Sequence, residues 1–139
     1  MKGGIATEAM RFHHVGVAVE DLDAAIEMYT SRFGAALTHR AKNERDGLEA
    51  AFLEMGSAEV ELLAALREDS TVGKFIAKRG PGLHHVAYAV TDVKQALADA
   101  QAAGMELIDV VPRIGLHGVP IGFVHPRSIG GVLTEFVQA

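Results

Sequence analysis

The segment Phe12-His13-His14-Val15-Gly16-Val17-Ala18-Val19-Glu20-Asp21-Leu22 recurs as Leu83-His84-His85-Val86-Ala87-Tyr88-Ala89-Val90-Thr91-Asp92-Val93, at a constant shift of 71 residues. A repeat of this kind constrains the fold more than any composition value, because each copy must form the same unit. Both copies are strand-like runs that feed a helix. The first helix starts at Asp21 as N-cap, shows Leu22, Ala25, Ile26 and Tyr29 on one face, and closes at Gly34. The second starts at Asp92, with Gln95 placed to complete a capping box, and shows Val93, Ala96, Leu97 and Ala100 before Gly104.

Three strands are expected after each helix: Ala36 to His39, Leu48 to Met55 and Glu59 to Ala64, then Glu106 to Val111, Ile121 to His125 and Val132 to Val137. The sequence thus predicts an α+β chain of two βαβββ modules, spanning about 11–67 and 82–139, paired into a curved mixed sheet. A module of this size is too small to be comfortable alone. A linker helix over about 69–79, capped by Asp69 or Ser70, carries Val72, Phe75 and Ile76 and ends at Arg79-Gly80-Pro81-Gly82. Residues 1–10 are expected to be an extension, since Met10 stands directly before the first patterned segment.

The 139-residue chain contains no cysteine, so any transition metal must be held by His and carboxylate. The formal net charge of −5 has the wrong sign for a broad nucleic-acid face. With no long apolar run and no signal-peptide core, a cytoplasmic location without membrane contact is expected. No GxxxxGK[ST] or GxGxxG occurs, so nothing supports a nucleotide cofactor.

Successive side chains of a strand point to opposite faces, so only one His of each doublet can face a site. Beside His14 on its face lie Gly16 and Ala18, small residues that leave room for a ligand, whereas Val15, Val17 and Val19 form the packed face. A lone histidine of this kind is ordinarily a satisfied core residue. Its recurrence as His85 is hard to explain as a packing accident. Glu61 and Glu135 each stand in the apolar last strand of a module, where a buried carboxylate needs a partner, a metal or a proton. On a half-exposed strand they would merely face solvent. The repeat favours the other reading, a His2Glu2 set of His14, Glu61, His85 and Glu135. Such a set suits a borderline or hard divalent ion and leaves two octahedral positions open. One divalent ion per chain is expected, with cobalt, nickel, zinc, manganese and magnesium all compatible with these donors.

Two loops carry further polar groups: Val111 to Pro120, with Arg113 and His117, and His125 to Gly131, with Arg127 and Ser128. Both compositions serve equally as plain turns or as contacts to a carboxylate or phosphate. Lys74, Lys78 and Arg79 are the densest basic cluster, read as a solvated helix face, with contact to phosphates the alternative.

These segments resemble the vicinal oxygen chelate superfamily. The finer wording of Pro112-Arg113-Ile114-Gly115-Leu116-His117-Gly118 and His125-Pro126-Arg127-Ser128-Ile129-Gly130-Gly131-Val132-Leu133-Thr134-Glu135 is similar to the methylmalonyl-CoA epimerases within it. The resemblance places the metal ligands on His14, Glu61, His85 and Glu135. It implies a homodimer that interconverts the 2R and 2S forms of methylmalonyl-CoA in propionyl-CoA metabolism. Glu135 would be a base or acid, and Arg113, His117, Arg127 and Ser128 would contact substrate. Some members carry Gln at the position of Glu61, and some a carboxylate at that of Ala50. Here Glu49 lies one residue out of phase with that position. A shuttling single base, a water or His117 would then supply the second proton. The rivals are a glyoxalase-type isomerase, a ring-cleaving dioxygenase and a metal-free ligand-sequestering protein of the same fold.

Overall fold

The computed structural model describes residues 10–139. The expected extension therefore lies outside the described residues, except for Met10, which opens the first strand. Element order is β1 (Met10–Ala18), α1 (Leu22–Phe33), β2 (Ala36–Asn43), β3 (Leu48–Met55), β4 (Ala58–Ala65), α2 (Thr71–Arg79), β5 (Gly82–Val90), α3 (Val93–Ala102), β6 (Arg113–Ile114), β7 (Pro120–Val124) and β8 (Thr134–Gln138). By packing, the chain divides into His14–His84 and a second unit of His85–Ala139 together with the strand start up to His13.

In the first unit β1 pairs with β4 in parallel, and β4 with β3 and β3 with β2 antiparallel. One face of these strands packs on α1, because the 3.6-residue spacing of Leu22, Ala25, Ile26 and Tyr29 meets Ala51, Leu53, Leu62 and Ala64. The Asp21 carboxylate accepts the Ala24 N–H at 3.0 Å and fixes the helix start. Gly34, at φ 69°, takes the left-handed position that ends it. The helix α2 belongs to this unit, capped by Ser70, whose Oγ accepts the Gly73 N–H at 3.0 Å.

The second unit repeats the pattern. β5 pairs with β8 in parallel, β8 with β7 and β7 with β6 antiparallel. Val93, Ala96, Leu97 and Ala100 of α3 pack on Val90, Val124 and Phe136. Burial of a side chain such as Leu97 is worth about 1.5–3 kcal/mol. Asp92 accepts the Gln95 N–H at 3.1 Å, but the Gln95 side-chain amide turns to Asp99 at 2.8 Å and leaves the capping box half made.

Glu106 to Val111 is not a strand, which corrects the sequence reading. Leu107 makes a single bridge to Val124, and the Ile108 and Asp109 N–H groups both reach the Phe123 carbonyl. The Asp109 carboxylate then accepts the Phe123 N–H at 2.9 Å, taking a donor that a regular ladder would use. Pro112 has no N–H to resume pairing, and the edge strand is the two-residue β6 instead. The segment joining the antiparallel β7 and β8 contains a 3-10 turn, Pro126–Ser128.

Candidate metal centre

The first unit holds His14 and Glu61 side by side. In the β1–β4 register Glu61 stands opposite Gly16, two residues along from His14 on the same face. His14 Nε2 to Glu61 Oε1 is 3.3 Å. His14 is 2% exposed and Glu61 7%. Phe52, opposite Glu61 on β3, meets the His14 ring edge to face at 6.4 Å and 86°.

The second unit builds the same arrangement from its own strands. Glu135 stands opposite Ala87, again the small residue two positions after the histidine, and His85 Nε2 to Glu135 Oε1 is 3.2 Å. Exposure is 4% for His85 and 6% for Glu135. Phe123, opposite Glu135 on β7, meets the His85 ring at 5.6 Å and 82°. Each module therefore supplies a buried His and Glu and an adjoining Phe, buried at Phe52 and half-buried at Phe123, from three adjacent strands. The two phenylalanines were missed in the sequence, although their own shift of 71 residues was a readable signal.

His14, Glu61, His85 and Glu135 form a group that could hold a metal ion: each offers one ligand atom, and these atoms lie within 4.8 Å of one another. The donor set fits as well. Two carboxylates taken out of water are costly unless a cation meets them, and two imidazoles with two carboxylates suit a divalent ion.

Ala50 is fully enclosed and lies two residues from Phe52, on the Glu61 face of β3. Glu49 points to the opposite face, where it accepts from Arg40 Nε at 2.9 Å; Arg40 Nη1 also reaches Asp23 of α1 at 2.7 Å. The bond to Glu49, and then that to Asp23, holds the Arg40 guanidinium above its usual pKa. Glu49 is thus part of a surface ion-pair network, as its phase predicts.

Arg113 Nε lies 3.2 Å from Asp109, and its guanidinium lies over the Phe123 ring at 5.4 Å, the same ring that His85 meets. His117 is exposed in the loop after β6, its ring 6.4 Å from that of His13. Arg127 and Ser128 are both tied to Glu106: Ser128 Oγ accepts the Glu106 N–H at 3.0 Å, and Arg127 Nη1 approaches Glu106 Oε1 at 3.3 Å.

Residues 13–123 match the family model of the glyoxalase/bleomycin resistance protein/dioxygenase superfamily. The chain belongs to this superfamily. Among its relatives, ethylmalonyl-CoA/methylmalonyl-CoA epimerase of Cereibacter sphaeroides is 34% identical over 130 residues, covering 92% of this chain and 97% of that protein. The mitochondrial methylmalonyl-CoA epimerase of Homo sapiens is 33% identical over 130 residues, 93% of this chain and 74% of that one. A solved structure of a Streptomyces coelicolor methylmalonyl-CoA epimerase variant, in complex with 2-nitronate-propionyl-CoA, superimposes with a TM-score of 0.88. It is 40% identical and covers 91% of this chain and 92% of its own. The superfamily's fold and the duplicated His–Glu pairs thus coincide in one chain.

Proposed function

We propose that this protein is a metal-dependent epimerase that interconverts (2R)- and (2S)-methylmalonyl-CoA by removing and returning the proton at carbon 2. The observation that carries the reading is the buried His–Glu pair of each module, in a chain similar over nine-tenths of its length to methylmalonyl-CoA epimerases. His14, Glu61, His85 and Glu135 would hold one divalent ion, cobalt first among the candidates. When bound, such an ion supplies positive charge that stabilises the enolate formed as carbon 2 loses its proton.

The chain's own residues do the rest. Glu135 is the acid or base of the reaction, its carboxylate held 3.2 Å from His85. Phe52 and Phe123 pack on the imidazoles and fix their planes, so the ligand nitrogens are set before any substrate arrives. Gly16 and Ala87 keep the space beside each pair free of bulk. Since Ala50 carries no carboxylate, the second proton comes from His117, from a water or from Glu135 itself. Arg113, His117, Arg127 and Ser128 are proposed to contact the substrate. The working form is a cytoplasmic homodimer; among the described residues no helix is long and apolar enough to cross a membrane.

Incubation with the pure 2S thioester tests the reading. Appearance of the 2R form, lost on chelation and restored by cobalt(II), is expected. Turnover of a glutathione hemithioacetal without interconversion would instead support the glyoxalase-type isomerase. Absence of any stoichiometric ion in protein purified without chelator would support a metal-free ligand-sequestering protein.

A further inference from the structure

The helix α2 carries three cations that the metal chemistry does not use. Lys74 and Lys78, four residues apart, form one exposed column, and Phe75 with Arg79 forms the next. The opposite side of the helix is buried through Val72 and packs against β4. Neither lysine side chain has a hydrogen bond or ion pair among the described residues. The acid at the helix start, Asp69, is engaged by Arg67 at 3.0 Å. In a chain of net charge −5, unpaired cations gathered on one short helix are a local feature of opposite sign.

Planar groups stand beside them. The Arg79 guanidinium lies over the Phe75 ring at 5.8 Å, and His84 meets the same ring at 4.9 Å and 71°. An arginine plane backed by an aromatic ring offers a purine a stacking surface, while lysines on the neighbouring column offer point charges to phosphates. His84 directly precedes His85, so this surface begins one residue from a proposed metal ligand, on the other side of β5.

The geometry points to this face of α2 as the binding site for the nucleotide end of an acyl-coenzyme A, adenosine 3′,5′-diphosphate. Lys74 and Lys78 meet the phosphates, and Arg79 stacks on the adenine. This rests on the acyl-CoA reading above for the identity of the ligand, and it gives that ligand a second anchor away from the reacting carbon.

The test titrates the full chain with adenosine 3′,5′-diphosphate alone, as wild type, as the double variant Lys74→Glu/Lys78→Glu and as Arg79→Gln. Binding of one nucleotide per chain is expected, weakened by salt and at least about tenfold weaker in the double variant. Arg79→Gln should weaken the nucleotide more than inorganic diphosphate, because it removes the stacking plane. The KM advantage of methylmalonyl-CoA over its N-acetylcysteamine thioester, which lacks the nucleotide, should shrink in the double variant. A wild type that does not bind the nucleotide, or equal affinity in wild type and double variant, would overturn the proposal. If nucleotide binding behaves as described while neither thioester exchanges its carbon 2 proton, the epimerase reading fails and the nucleotide face stands.

Discussion

Removing the metal should lower the melting temperature by an amount that the ion concentration sets. Four ligand groups that are 2–7% exposed are bound by an ion only when the chain is folded. An ion present at a hundred times its dissociation constant then adds about 2.7 kcal/mol to stability, and each further tenfold adds about 1.4 kcal/mol. The 139-residue chain has an unfolding entropy of about 0.3 kcal/mol/K. The midpoint should therefore rise about 9 °C above the chelated protein, and then about 5 °C per decade of ion. Calorimetry on chelator-treated protein, titrated with cobalt(II), reads this directly. His85→Ala should flatten the dependence. A midpoint indifferent to every divalent ion, or an unchanged slope in His85→Ala, would show that these residues do not hold an ion.

Glu135→Gln keeps a carbonyl oxygen for the ion but loses the basic carboxylate, so turnover should fall about 10²-fold or more while metal content, read by elemental analysis, persists. Gly73→Ala should cost about 1–3 kcal/mol in denaturant melts, since a Cβ there meets the Glu68 carbonyl oxygen at 2.6 Å and backbone cannot rotate away. Gly122→Ala should cost less, because its Cβ meets the Leu97 side chain at 2.7 Å, which can shift. Asp92→Ala removes the acceptor for the Gln95 N–H and should cost about 1 kcal/mol, seen as earlier fraying of α3 by hydrogen exchange.

The elements that sequence reasoning located are those governed by local periodicity. Asp21, Ser70 and Asp92 are short acceptors placed just before an amphipathic run, and all three cap a helix. The buried group of His14, Glu61, His85 and Glu135, which could hold an ion, was legible because strand alternation decides which residue of each doublet is buried, the 71-residue shift supplied the second histidine, and each glutamate stands in the last strand of its module. The segment from Glu106 to Val111 was misread because its alternation is strand-like, whereas its fate depends on the Asp109 carboxylate capturing a backbone donor of β7. No periodicity encodes a competition of that kind. Nor does periodicity encode that Ser128 Oγ accepts the Glu106 N–H while Arg127 approaches the Glu106 carboxylate. Gln95 likewise could have closed a capping box, yet the Asp99 carboxylate one turn on offers it a partner.

The central claim is that the duplicated His–Glu pairs serve proton transfer at carbon 2 of a methylmalonyl thioester. Its most direct test is NMR of methylmalonyl-CoA in deuterated water with the cobalt-loaded and the chelated protein. The account predicts deuterium at carbon 2 with the loaded enzyme, and none above background after chelation or in Glu135→Gln. Failure of the loaded wild type to exchange that proton with any divalent ion, while it turns over a glutathione hemithioacetal, would contradict it.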